Sequence, residues 1–469
     1  MTSVAFDPEY VSRVLHENFE DAKALFLSPL IAINYAHLVM LRASGIISAA
    51  DARALREALD TLSVADLKTA PYDHACEDLF FHLERRIVAG CGEEIAGRLR
   101  IARSRNDIDM TMFRMRQREF IAALAAAALD LRGSVIDLAM QHRETIFAAL
   151  THTQPAQPTT VAHYLLAVSE QLERDHVRLR AAYSSTNRCP LGSCAITGTG
   201  FDIDRQLTSE LLGFDEPTGN TYGSIATVDY LLESVGAAQV MLVGVGRVTQ
   251  DLLLWCTREF GYMRLADGLV QGSSIMPQKR NPVALEHARS ITSKALGEAV
   301  AITTAVHNTP FGDIVDTEDD LQPLVAAMFR DAQRAVALLA VSIRGAELNV
   351  DRMQSHASEG GTTLTELADR LVRDQNLSFT MAHSIAAGLL SGIVPPTSLG
   401  YTDEELTRIL SARNFVETRR SPGGPAPSET SRALEVAREL LHRDRTWLEA
   451  AHKQIEDADT RRRARAQAL

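Results

Sequence analysis

The chain has 469 residues, is 46% apolar and 23% charged, and carries a formal net charge of −12. That length exceeds one ordinary core and points to two or three domains or one elongated helical architecture. The acidic balance opposes nonspecific nucleic-acid binding, and Met241–Trp255 is broken by Gly244, Gly246, Arg247, Gln250 and Asp251, so no membrane span is expected.

Five cysteines, Cys76, Cys91, Cys189, Cys194 and Cys256, form an odd set without a CxxC pair, which fits reduced thiols and argues against a zinc site. The opening MTSVAFDPEY has neither a basic start nor an apolar core, so a cytoplasmic protein is expected. Residues 1–103 read as a separate helical region, in which Ser48-Ala49-Ala50-Asp51 opens a helix through a capping-box-like pattern. Asp107–Leu150 then runs without proline; as one helix at about 1.5 Å per residue it would span roughly 65 Å.

Thr159–Tyr183, Thr227–Phe260, Pro282–His307 and Thr317–Gly345 follow in the same style, with a kink expected at Pro323. Five such helices predict a central antiparallel bundle over 104–354. From about Met353 the composition shifts to shorter helices and a Ser421–Pro427 loop, which gives a third region, 355–469, and Arg461, Arg462, Arg463 and Arg465 read as a solvated helix end. Stretches such as Phe120–Leu129 are apolar on more than one face, so self-association is expected.

Three polar clusters carry candidate chemistry. Arg103-Ser104-Arg105-Asn106-Asp107 opens the Asp107 helix, where a forked guanidinium and a helix N-terminus both favour a carboxylate; a plain charged helix cap reads equally from the local sequence. Leu150–Pro158 places His152 between Thr151 and Thr153, with Gln154 and Gln157 nearby, a set able to grip a dicarboxylate and trade a proton near neutrality. The most informative run is Gly272–Pro282. It combines a flexible glycine, Ser273 and Ser274 with Lys279 and Asn281, which can hold the negative charge that builds on a carboxylate when its neighbouring carbon loses a proton. Glu286 follows within reach to orient or charge His152. Clusters so far apart form one site only if distant bundle ends meet, which oligomerisation would achieve.

The string Gly272-Ser273-Ser274-Ile275-Met276-Pro277-Gln278-Lys279-Arg280-Asn281-Pro282 resembles the signature of the fumarase/aspartase superfamily, whose members release fumarate by cleaving C–N or C–O bonds. Ser104–Asp107, Pro190–Ala195 with Phe201–Arg205, Gln278 and Gly423–Pro427 are similar to the argininosuccinate lyase branch, from about Leu30 to the end. The resemblance implies an all-α, three-domain fold. It also implies a homotetramer with a twenty-helix core, three subunits contributing to each site, and no cofactor. By the same resemblance Ser273 is the base that removes the Cβ proton, and Lys279 and Asn281 support the aci-carboxylate. Ser104, Arg105, Asn106, Thr151, Gln154, Ser274 and Met276 are then substrate contacts, and His152 with Glu286 handles the proton at the leaving nitrogen.

Departures from the family pattern fall on the leaving-group side. Leu30 stands where an aspartate is usual, Phe80 and Arg100 replace histidines, Ala226–Asp229 replaces Ser-Asp-Arg-Asp, and Pro310–Asp320 diverges from Tyr-Asn-x-Asp-x-Gln-Glu-Asp. A buried donor left without its partner costs about 1–3 kcal/mol, so the expected substrate is an N-substituted aspartate of the ethylenediamine-disuccinate type, yielding fumarate and an amine. The alternatives are argininosuccinate, an adenylosuccinate- or nitrosuccinate-like substrate, and a non-catalytic crystallin-like role. The Thr151–Ala156 loop itself resembles the adenylosuccinate version.

Overall fold

The computed structural model describes residues 6–74, 76–312 and 319–469. The N-terminal region holds α1 (His16–Ala43), α2 (Ala49–Asp60) and α3 (Leu79–Cys91). Ser48 caps α2 as its sequence predicts, its hydroxyl accepting from the Asp51 backbone N–H at 3.1 Å.

Five long helices build the centre: α4 (Arg105–Gln141), α5 (Val161–Thr186), α6 (Asp229–Trp255), α7 (Val283–Val306) and α8 (Leu321–Arg344). They alternate in direction. Arg114 near the start of α4 reaches the Ser185 carbonyl at the end of α5, Tyr164 at the start of α5 reaches Asp251 at the end of α6, and Arg289 early in α7 reaches Gln250. One end of the bundle therefore gathers Arg105, Thr186, Asp229, Val306 and Leu321; the other gathers Gln141, Val161, Trp255, Val283 and Arg344.

Three local expectations need correction. The Asp107 helix stops at Gln141, and Ile146–Thr151 is a strand, β1, paired antiparallel with β2 (Gln154–Thr160). Chain reversal inside the supposed helix buries both faces of β1, Phe147 in the main core and Ile146 and Ala148 against Ala357, Ala412 and Val416. Pro323 makes no kink: it is the third residue of α8, where its missing N–H would have no helical acceptor. Finally, Pro8–Ala43 and α6 are long and apolar enough to cross a membrane by length and composition alone, yet 72% and 56% of their apolar windows are buried within the protein. Their apolar faces serve the core.

The C-terminal part contains α9 (Val350–Ser358), α10 (Leu364–Gln375), α11 (Phe379–Leu390), α12 (Ala412–Thr418) and α13 (Pro427–Gln467). Residues 364–410 have their own apolar cluster around Leu367, Leu371, Ala382 and Leu406. By contrast α13, at 41 residues longer than α4 at 37, returns along the bundle and joins its core through Leu434, Leu441 and Leu448. A buried Arg132–Asp444 pair at 2.7 Å fixes it to α4. The basic tail is not simply solvated, because Arg461 and Arg462 donate to the carbonyls of Glu210 and Leu211 at the end of the Arg205–Leu211 helix, where negative potential and unpaired carbonyls attract cations.

Candidate active site

At the first end of the bundle, α4 begins with Ser104 as its N-cap. The Ser104 N–H donates to Asp107 Oδ1 at 2.8 Å, while Asp107 Oδ2 accepts from the backbone of Gly192 at 2.7 Å and Cys194 at 2.9 Å. Asp107 thus fastens the Pro190–Ala195 loop beneath the helix start. Burial pushes its carboxyl up to about 6 despite these donors. Arg105 reaches outward and pairs with Glu77 at 2.9 Å and Asp78 at 2.7 Å, and Asn106 donates to the Ala195 carbonyl at 3.2 Å. Arg105 and Asn106 line a cavity of about 290 Å³ that also contains Leu30 and Phe80. Val228 lies at the same end in a neighbouring hollow with Phe311, whereas Arg100 is paired with Glu84 outside both. Of the Pro310–Asp320 stretch, residues 313–318 lie outside the described residues.

At the opposite end, His152 and Thr153 form the tip of the β1–β2 hairpin between the paired Thr151 and Gln154. Both tip residues have positive φ, 51° and 60°. That is the backbone of a two-residue type I′ turn, usually built from glycine or asparagine. A β-branched threonine there is strained, by about 1–3 kcal/mol. The hairpin base is held firmly. His163 bonds the Thr159 hydroxyl at 2.8 Å and the Gly423 carbonyl at 2.9 Å, and Gln157 donates to Thr365 at 3.2 Å. His163 supports the hairpin base and was not singled out in the sequence; its position in the first turn of α5, facing a Gly-Gly loop 260 residues away, has no local signal.

The signature loop is closed by β3 (Gln271–Gly272) pairing with β4 (Arg280–Asn281). Inside it, Ser273 Oγ accepts from the backbone N–H of Ile275 at 3.2 Å and of Met276 at 3.1 Å, and the Lys279 N–H donates to the Met276 carbonyl at 3.1 Å. Two N–H groups aimed at one hydroxyl oxygen are what a serine needs to carry negative charge as a base. The loop is open to solvent: Ile275 is 85% exposed, and Ser274, Met276 and Lys279 are exposed too. Glu286 sits exposed in the first turn of α7.

A single chain does not bring these groups together. The 37 residues of α4 span about 55 Å and separate Arg105 from the hairpin. No hydrogen bond joins His152 to Glu286 or Ser273 among the described residues, so the sequence-based His152–Glu286 pair is not formed within one chain. The one group of described residues with mixed metal-ligand character, Asp73, Cys76 and His82, has its ligand atoms within 4.8 Å of one another. Arg85 already supplies a positive charge there, 2.6 Å from Asp73 and 3.5 Å from His82 Nδ1.

A family model described as a lyase matches residues 41–297. Argininosuccinate lyase 2 of Agrobacterium fabrum is 39% identical over 463 residues, covering 94% of this chain and 92% of that protein. The argininosuccinate lyase of Methanoculleus marisnigri is 36% identical over 447 residues, covering 91% and 90%. The chain belongs to the argininosuccinate lyase-like branch of the fumarase/aspartase superfamily. This superfamily member is a carbon–nitrogen lyase with the all-α fold of its relatives. Among solved structures, EDDS lyase in complex with formate superposes with a TM-score of 0.86 at 28% identity, covering 99% of this chain and 96% of that one. An EDDS lyase variant with bound fumarate gives 0.85 at the same identity and coverage. A class II fumarase from Schistosoma mansoni, at 15% identity and a TM-score of 0.68 over 87% of this chain and 92% of its own, shares the fold.

Proposed function

We propose that this lyase eliminates an amine from an N-substituted aspartate of the ethylenediamine-disuccinate type and releases fumarate. Ser273, stabilised as an alkoxide by the Ile275 and Met276 N–H groups, takes the Cβ proton. Lys279 and Asn281 hold the aci-carboxylate, Arg105 and Asn106 hold substrate carboxylate, and Thr151, Gln154, Ser274, Met276 and Ser104 complete the grip. His152, charged by Glu286 of another chain, returns a proton to the nitrogen as the Cα–N bond breaks. The site forms in a homotetramer. Val177 of α5, Val240 and Val243 of α6 and Val300 of α7 lie exposed on the bundle, as expected of faces that pack against other copies.

The observation that carries the substrate reading is the Arg105 cavity. Its carboxylate-binding groups are present, while Leu30 and Phe80 line it in place of polar partners for an arginine-like leaving group. Comparing kcat/KM for argininosuccinate and ethylenediamine-disuccinate tests this reading. Preference for the latter is expected; a clear preference for argininosuccinate would overturn it. Argininosuccinate cleavage is the second reading, favoured by the 39% identity to the Agrobacterium protein of that name.

A further inference from the structure

One cluster of chemically capable side chains takes no part in the proposed reaction. Asp73, Cys76 and His82 each bring one ligand atom, an oxygen, a sulfur and a nitrogen, to within 4.8 Å of one another. The lack of a CxxC pair bears on sites built from paired thiolates; Asp73, Cys76 and His82 are a mixed donor set instead. Two of the three are held in place by packing. The Tyr72 hydroxyl donates to the Cys76 carbonyl at 2.6 Å, and the Phe19 ring lies 5.0 Å from that of Tyr72 and 5.4 Å from that of His82, edge-on to the imidazole. His82 stands in the first turn of α3, whose start is fixed by Asp78 accepting from the Phe81 N–H at 2.9 Å. Cys76 is a free, buried thiol.

His82 is the residue that points to a ligand. Its imidazole is 5% exposed, yet Nε2 has no hydrogen-bond partner among the described residues and Nδ1 has only the Arg85 guanidinium, at 3.5 Å. Buried polar atoms are normally paired, and leaving one unpaired is costly. The same Arg85 nitrogen lies 2.6 Å from Asp73, so one positive group already bridges two of the three donors and marks where a cation is wanted. That bridge is easily given up, because its side chains are 43% and 44% exposed and ion pairs so open to water contribute little. Burial, then the positive charges of Arg85 and Arg86, hold His82 below its ordinary value. The imidazole is therefore neutral at pH 7, the form in which it binds a metal.

We infer that Asp73, Cys76 and His82 form a binding site for a thiophilic divalent cation of the zinc class, which takes the place of the Arg85 guanidinium. A tetrahedral ion with bonds of about 2.0–2.3 Å needs its ligand atoms about 3.3–3.8 Å apart, so a closure of about 1 Å completes the set, and the exposed Asp73 side chain provides it. On binding, the Cys76 S–H bond breaks, a sulfur–metal bond forms and the thiol proton leaves to solvent, with no change of oxidation state. Water takes the fourth position. From Cys76 the chain runs directly into Glu77 and Asp78, which hold Arg105 at 2.9 and 2.7 Å, so the ion braces the segment that positions Arg105.

The test uses the intact oligomeric enzyme, reduced and stripped of metal, titrated with Co²⁺ as a spectroscopic probe and then with Zn²⁺. Cobalt should bind once per chain with a near-ultraviolet thiolate-to-cobalt absorption, and zinc, the tighter binder, should displace it. Cys76→Ser should remove the absorption and weaken cobalt binding by about a hundredfold, and His82→Gln should weaken it by about tenfold. Because His82 lies on the neighbouring helix, its variant gives the readout should Cys76→Ser misfold. Arg85→Gln should tighten binding several-fold, since the competing guanidinium is gone. Absence of the absorption in the unaltered enzyme, its persistence in Cys76→Ser, or undiminished binding in His82→Gln overturns the inference. So does weaker cobalt binding in Arg85→Gln, the result expected if the arginine merely holds the segment together.

Discussion

The two ends of the bundle are built on opposite plans. At the Arg105 end the groups are locked: Asp107 takes three backbone N–H donors, Arg105 is ion-paired, and the half-buried Arg103 donates to Asn34 at 2.7 Å. At the other end the groups are presented to solvent on a strained turn and a seven-residue loop closed by one short strand pair. An anion cradle works when rigid, since preorganised donors need no rearrangement to bind. A base and a proton donor that must meet a site on a neighbouring chain have to project from the surface. Under the proposed mechanism, rigidity at one end and projection at the other are complementary halves of one site.

Breaking the projecting end should have the largest effect. Ser273→Ala removes the proposed base but only one loop hydroxyl, so turnover should fall by about 10²–10⁴ with melting temperature unchanged; a near-normal rate would move the role to another residue, Ser274 being adjacent. Solvent exchange of the Cβ proton should vanish with it. Lys279→Met should cost roughly 3–4 kcal/mol in transition-state stabilisation if it acts as other oxyanion donors do, measured as kcat/KM.

The locked end should respond to acid. His37 lies fully buried beside Arg103, with Nε2 at 2.9 Å from the Ile101 carbonyl, and burial depresses it to about 3. A histidine whose folded value lies below its ordinary 6.5 gives stability that is fully present above 6.5 and is lost as pH falls from there toward 3. Melting experiments should show a decline of up to about 1.4 kcal/mol per pH unit in that window, and His37→Gln should flatten it. A slope unchanged by the substitution would assign it elsewhere. The smallest effect is expected at the hairpin tip, where Thr153→Gly relieves a positive φ and should raise stability by about 1 kcal/mol in denaturant unfolding. Any loss of kcat alongside that gain would mean the stiff tip helps aim His152.

Much of this contrast could be read in the sequence, and the exceptions have physical causes. The α4 start was legible because Ser104 and Asp107 have cap spacing, and the serine loop because its string is dense in unusual residues. The hairpin was hidden, since absence of proline allows a helix but does not require one, and Ile146 and Phe147 fit either pattern. The length of α13 was missed although Leu434, Leu441 and Leu448 recur every seven residues, a stripe diluted by charge.

The central claim is that Arg105 of one chain and Ser273 of another serve the same site. Mixing the inactive variants Arg105→Ala and Ser273→Ala, followed by refolding to mixed oligomers verified by native mass spectrometry, tests it directly. Sites that receive Arg105 from one parent and Ser273 from the other are then intact, and about a quarter of wild-type activity should return in an equal mixture. Mixed oligomers that stay as inactive as either parent would contradict the shared site.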